Sequence, residues 1–256
     1  MSKEIKIVPL HANDEFDRAV EIQDMVWSYE ASSRMSQKTF LLAVHIGGQV
    51  LGAFEGDSSD TSKMVGYAMS LPGVRNGHAY LHSHHLAVLP EWRNAGVGRR
   101  LKLAQRDDAI ARGFELIEWT FDPLEIRNAH LNIARLGAIA RHYRRNFYGA
   151  STSPLHGGLP TDRLVAEWWL KSDRVERALR GEQAVVEIVE HVDVPAAISE
   201  WKASSATRDD ARQVQEANAS ALESAFARGL AVLGYSRNEQ GDGSYLLGKW
   251  NENFVY

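Results

Sequence analysis

Three histidines stand almost side by side at His82, His84 and His85, in a run of otherwise apolar or small residues from Ala79 to Val88. A proline follows at Pro90, then the segment Arg93-Asn94-Ala95-Gly96-Val97-Gly98-Arg99-Arg100. Imidazole has an ordinary pKa close to neutrality, so histidines in such a place can take a proton from a reacting group at physiological pH. The segment after them has the character of a turn leading into a helix, whose first N–H groups and positive dipole end would face the turn. Arg93, Arg99 and Arg100 add fixed charge. Together these residues suit deprotonation of one substrate beside a phosphorylated second one.

Strand alternation places His82 and His84 on one face, with Ser83 and His85 on the other, which gives His85 a structural part. The His-x-His-His pattern also raises a metal site, since neutral imidazole suits zinc. A closed zinc site needs four ligands, the chain has no cysteine, and the nearest acids, Glu91 and Asp57, fall in expected loops. No metal is therefore expected.

Two phosphate-binding loops do not fit. A Walker loop opens its helix with Gly-Lys-Ser/Thr, whereas Gly98 is followed by Arg99 and Arg100. A dinucleotide fingerprint needs a third glycine where Leu101 stands. Arg93-x-x-Gly96-x-Gly98, preceded by Leu86-Ala87-Val88-Leu89-Pro90-Glu91, resembles the pyrophosphate loop of the GNAT N-acetyltransferase superfamily. The resemblance implies that residues 93–99 wrap the pyrophosphate of coenzyme A and that Leu86, Ala87 and Val88 pair with its pantetheine arm. It also implies a central strand with a bulge, splayed from its neighbour. His82 and His84 lie eleven and nine residues before Arg93. That spacing is similar to the His-x-His pair of arylalkylamine N-acetyltransferases, which implies that either histidine drains the amine's proton through water.

Composition bounds the rest. The 256 residues are 44% hydrophobic and 24% charged, as in a globular chain of one large domain or a domain with an extension. A net charge of −4 argues against a general nucleic-acid or anionic-membrane binder. Without cysteine there is no disulfide and no acyl-cysteine intermediate. Met-Ser-Lys-Glu-Ile-Lys lacks the apolar run of a signal peptide and no stretch reaches membrane-span length, so a cytoplasmic protein is expected.

The elements that must position these residues follow from periodicity. Ile5–Leu10 reads as a strand, and Asp14 opens a helix with Phe16, Val20 and Trp27 on one side. Phe40–Ile46, Gly47-Gly48 and Gln49–Phe54 read as a β-hairpin. Met64–Leu71 is a further strand, turned by Pro72-Gly73 toward the histidine strand. Phe114–Phe121 is a buried strand broken by Asp122-Pro123, and Arg127–Gly137 a helix. Leu164–Leu170 is a strand, Ser172–Gly181 a charged helix or linker, and Gln183–His191 a weak strand. Thr207 caps a last helix, whose apolar face includes Ala211, Val214, Ala221 and Phe226, and a hairpin of Leu230–Tyr235 and Ser244–Trp250 follows. The expected class is mixed α/β: a GNAT core over 1–170, with a twisted mixed sheet and flanking helices, and a helix-and-hairpin extension over 171–256 packed on it.

Beyond the loop, the resemblance implies Asn128 and Asn132 as contacts to coenzyme A. Registered on Leu136-Gly137, the family's usual tyrosine acid falls at Ile133, so the acid moves to Tyr143 or Tyr148. Asp162 and Arg163 close a glycine-proline loop and could hold a polar acceptor. Leu86–Glu91, Trp119–Pro123, Arg135–Ala138 and Gly158–Arg163 together resemble a GNAT branch with a long C-terminal region, some of whose members are amino-acid N-succinyltransferases associated with N-succinylamino acid racemases. This implies acetyl-CoA or succinyl-CoA as co-substrate, a small amine or amino acid as acceptor, and a homodimer, the family's frequent assembly. The alternative is a CoA-binding sensor without efficient transfer, suggested by Ile133.

Overall fold

The computed structural model describes residues 4–27, 34–149, 157–182 and 186–250. They fall into two compact units, the first running to Ile117 and the second from Glu118. In the first, β1 (Ile5–Pro9), α1 (Asn13–Trp27), α2 (Gln37–His45), β2 (Gln49–Glu55), β3 (Met64–Arg75), β4 (His78–Val88) and α3 (Val97–Ala111) follow in order. The strands form an antiparallel meander, β1-β2-β3-β4. β2 and most of β3 are buried along their length, because helices cover both faces of the sheet. Gln49, Ser70 and Ser83 face α3, whereas Tyr67 meets Phe40 of α2 and His85 meets Trp27 of α1.

Two local expectations are corrected. Residues 40–46 are helical rather than the first arm of a hairpin. Phe40 and Ala43, three residues apart, are the buried pair, while Leu41, Leu42 and Ile46 stay exposed. A run apolar at nearly every position carries no period, so it does not separate helix from strand. Pro72 and Gly73 lie inside β3, and the chain reverses at Asn76-Gly77, where both residues have positive φ. Gly73 serves packing instead: an added Cβ would sit 2.7 Å from the ring of Tyr80, its cross-strand partner.

β5 (Leu116–Phe121) carries the boundary. The second unit continues with α4 (Ile126–Ala129), which passes into a π-helical turn over His130–Arg135, then β6 (Ile139–Arg144), β7 (Arg163–Trp169) and α5 (Asp173–Leu179). After these come β8 (Glu190–Val194), α6 (Ile198–Ala203), α7 (Arg208–Ala227), β9 (Leu230–Arg237) and β10 (Gly243–Lys249). The strand order here is β5-β7-β6-β9-β10-β8, so the C-terminal strands continue the sheet from β6 through the pair Ala140–Val232. Of the weak strand expected at 183–191, only Glu190 and His191 are extended, as the start of β8, which pairs with β10; residues 186–189 carry no strand and 183–185 lie outside the described residues. α7 buries Ala211, Ala219, Leu222 and Ala225, while Ala221 turns outward.

Candidate active site

β4 runs into a buried Leu89 and one 3-10 turn, Pro90–Trp92, in which the Trp92 N–H donates to the Leu89 carbonyl at 2.9 Å. Trp92 and Val97 are buried and pin the two ends of the turn, leaving Arg93, Asn94, Ala95 and Gly96 exposed between them. Asn94 (φ 63°) and Gly96 (φ 77°) are left-handed. Asparagine and glycine are the residues that adopt this region at least cost. Gly96 is the N-cap of α3 and no side chain caps that end. The first amides of α3 therefore lack a side-chain acceptor, which is the arrangement that binds a phosphate. Gly98 lies over β4, with room for a Cβ only at contact distance, 3.4 Å, from Leu86. Of the three arginines, Arg100 donates to the Ile5 carbonyl of β1 and is thereby turned from the loop.

The histidines form a row rather than a pair. β3 and β4 change register so that Ser70 faces Ser83 and Met69 faces His85, which makes His84 the extra residue of a β-bulge. A bulge resets alternation. Ser83 therefore points to α3 and His85 to α1, and the expected shared face of Ser83 and His85 is not found. His82, two places from the reset, takes the face opposite Ser83. The ring centroids of His82 and His84 are 6.2 Å apart, and His84 stacks on His85 at 4.6 Å. The Tyr67 hydroxyl lies 3.1 Å from His85 Nδ1. Burial lowers the pKa of His84, with the charge of His82 second, even though the residue as a whole is exposed. Burial, then His84, brings His85 down to about 3. Both rings are thus neutral at pH 7, and His85 is left too weak a base to take a proton from an amine.

Sequence reasoning overlooked what lies behind this strand. Lys102 of α3 is 4% exposed and donates from Nζ to Ser83 Oγ at 2.8 Å. Ser83 Oγ in turn donates to Gln105 Oε1 at 3.0 Å. Ser70 Oγ donates to Gln49, which donates to Asp108 Oδ2 at 2.6 Å and to the Gln105 carbonyl. Ser70 and Ser83, the cross-strand pair beside the bulge, are thus both held from the α3 side. Burial brings the Lys102 amine down to about 7. Its position in the stripe Val97, Leu101, Lys102, Gln105, Ala109 was the available signal, because all five are buried.

In the second unit, Asn128 is exposed and Asn132 is buried, with Asn132 Nδ2 donating to Asn128 Oδ1 at 3.2 Å. Asn132 thus orients Asn128. Ile133 is buried, as its side chain requires. Tyr143 donates its hydroxyl proton to Asp162 Oδ2 at 2.7 Å, and Asp162 Oδ1 accepts from the Asn146 amide at 2.8 Å. Burial and then the Asp162 bond push the Tyr143 pKa far up. Arg163 is buried, donates to the Asp162 carbonyl at 2.9 Å and lies 5.1 Å from the Tyr148 ring centre. Tyr148 Oη is 2.9 Å from Thr120 Oγ1. Among the described residues, no group of three or more histidines and acids is placed to hold a metal, and no helix is long and apolar enough to cross a membrane.

The strand, turn and helix in this arrangement match the fold of GNAT proteins. Residues 13–137 match the family model described as the acetyltransferase (GNAT) family. No curated protein matches the sequence. Among solved structures, the chain is similar to a protein described as a GNAT-family acetyltransferase from Desulfovibrio desulfuricans, with TM-score 0.52 and 14% identity over 65% of this chain and 99% of that one. It is also similar to the ribosomal-protein-S18-alanine N-acetyltransferase of Escherichia coli, with TM-score 0.50 and 19% identity over 66% and 96%. The NatC complex, solved with Gag peptide and CoA, gives 0.51 and 15% over 64% and 97%. At these identities the likeness is one of fold.

Proposed function

We propose that the chain is a CoA-dependent N-acyltransferase that moves an acetyl or succinyl group from acyl-CoA to the primary amine of an amino acid or related small amine. One observation carries this reading: the histidines at the bulge of β4 and an uncapped helix N-terminus lie on a single strand-turn-helix unit. The pyrophosphate takes the amides and guanidinium groups of Arg93–Arg99, and the pantetheine arm runs along Leu86-Ala87-Val88. His82 or His84 takes the ammonium proton, directly or through water, because only the free amine can attack the thioester. The amine nitrogen bonds to the acyl carbon, strand N–H groups hold the oxyanion, and the C–S bond breaks to release the CoA thiolate.

A tyrosine whose pKa lies above its ordinary value of about 10 does not give up its proton to a thiolate of ordinary thiol basicity, about 8.5. Tyr143, whose proton is held by Asp162, therefore does not protonate the leaving group. Asn128, oriented by Asn132, is assigned to coenzyme A, and Asp162 with Arg163 to the acceptor. The transferase core spans 1–170 and 171–256 is its extension, in a cytoplasmic protein that needs no metal. A second reading, a CoA-binding sensor, draws support from the commitment of the Tyr143 proton to Asp162.

Thiol release from acetyl-CoA and succinyl-CoA, measured against L- and D-amino acids and arylalkylamines, decides between them. Release requiring both an acyl-CoA and one amine class is the expected result. CoA that raises the melting temperature without any release would favour the sensor.

A further inference from the structure

The corner between β5 and α4 is held from far along the chain. Asp122 Oδ1 accepts from the Leu124 amide at 2.8 Å, and its Oδ2 accepts from Lys202 Nζ of α6 at 2.9 Å. Glu125, the N-cap of α4, offers Oε1 to the same amine at 2.8 Å, while its carbonyl accepts the Ala129 amide at 2.9 Å. Tyr245 of β10, fully buried, donates to the Pro123 carbonyl at 2.7 Å. Three bonds from the C-terminal region thus converge on four consecutive residues.

Lys202 also acts through its backbone. A Cβ at Gly157 would fall 2.2 Å from the Lys202 carbonyl oxygen, so the loop leading to Asp162 and Arg163 packs directly on it. Gln215 of α7 fastens the same loop, donating to the Pro160 carbonyl at 2.9 Å. Burial opposes the charge of Lys202, but Asp122 and Glu125 outweigh it, and the amine remains a cation. Apolar side chains would fill this corner at less desolvation cost. What an ammonium adds is direction, since its donors must meet two separately placed carboxylates.

We propose that Lys202 is a positioning residue for acyl transfer: it sets the start of α4, and with it Asn128 and Asn132, making the C-terminal region a brace for the CoA-side contacts. This rests on the acyltransferase reading. The step itself is unchanged, and the brace alters only how well coenzyme A is held before it.

The test uses the full chain with Lys202→Met, the conservative Lys202→Arg, and Arg145→Met as a control at another contact of the same region. CoA affinity by calorimetry, the KM for acyl-CoA and amide hydrogen exchange over 126–135 are read together. Lys202→Met should speed exchange in that segment and weaken CoA binding and KM on the order of tenfold, with the shape of the pH profile kept. Lys202→Arg should restore most of both, and Arg145→Met should change neither. A lowered melting temperature with parental exchange, CoA affinity and KM would reduce Lys202 to a stabilising contact and overturn the proposal. If Lys202→Met does not fold, Glu125→Gln, which keeps the Asp122 pair, should give the same changes at smaller amplitude, and their absence overturns it equally. A parent that neither binds CoA nor releases thiol sinks the acyltransferase reading, whereas the exchange measurement still decides whether Lys202 holds α4.

Discussion

Lys102 and Lys202 are equally buried, each about 4% exposed, yet their surroundings drive them in opposite directions. Lys102 meets the hydroxyl of Ser83, and burial alone brings its amine down to about 7. Lys202 meets Asp122 and Glu125, which more than offset burial and hold its pKa above the ordinary value. The same contrast runs through their neighbourhoods. Around β4, burial and mutual repulsion strip His84 and His85 of basicity. Around the 122–125 corner and the loop before β7, carboxylates anchor a lysine and a tyrosine. Desolvation is common to both, and the presence of an anion decides its outcome. One region keeps groups neutral; the other spends its charges on holding backbone in place.

The largest test of that division is on the histidines. Replacing His82 and His84 together by Gln should lower kcat at neutral pH by roughly 10²- to 10⁴-fold, the usual contribution of a general base, with CoA affinity unchanged. Parental turnover in the double variant would remove proton transfer from β4 altogether.

The two lysines give the next largest effect, in the pH dependence of stability. The Lys102 pKa is about 7 in the folded chain and 10.5 in the unfolded one, so between these values the unfolded state binds more protons. Stability then rises with pH across that window, by at most about 1.4 kcal/mol per unit from one group. Below about 7 both states are protonated and the dependence from this residue ends. Lys202 has the opposite sign: its contribution is present below 10.5 and is lost as pH rises through its higher folded value. Denaturant titrations from pH 7 to 10 should show the rise flattened in Lys102→Met. An unaltered slope would mean that the Lys102 amine is charged in the folded chain.

How much of this was legible depends on sequence separation. The Arg93–Gly98 turn and the strand before it are local, so glycine spacing and an apolar run were enough to place them. The resemblance implied a bulge in this strand but not its place at His84, because alternation assumes a regular strand and nothing near Ser83 announces the register change. α2 was misread because Phe40 to Ile46 is apolar without a period. The partners of the two lysines lie 19 and 80 residues away, beyond any local pattern. Lys102 at least shares a helical stripe with apolar residues, whereas nothing around Lys202 marks it. Asp162 was singled out for an acceptor, and the structure adds the tyrosine that occupies one of its oxygens.

A smaller effect is expected at that contact. Tyr143→Phe removes a 2.7 Å bond to a buried carboxylate and leaves the Asn146 amide on the other oxygen. The loss should be about 1–3 kcal/mol, read by denaturant unfolding. Because the hydroxyl is assigned a hydrogen bond and not a proton transfer, kcat should fall far less than in the histidine variant. A fall as large as that one would make Tyr143 the proton donor and overturn its place on the structural side of the comparison.

The smallest effect should come from a carboxylate cluster that lacks burial. Arg145 at the end of β6 pairs with Glu216 and Glu223 of α7 at 2.7 and 2.9 Å, with its side chain 41% exposed. Its geometry matches that of the Lys202 clamp in having one cation between two acids, but water screens every member. Exposed pairs contribute little for that reason, and the two acids here can be resolvated when the arginine is removed. Arg145→Ala should therefore move the melting temperature by no more than about 2 °C and leave thiol release unchanged. A larger shift, persisting in 1 M salt, would show that the number of carboxylates around a cation matters more here than its burial, and the contrast between the two lysines would then need another cause.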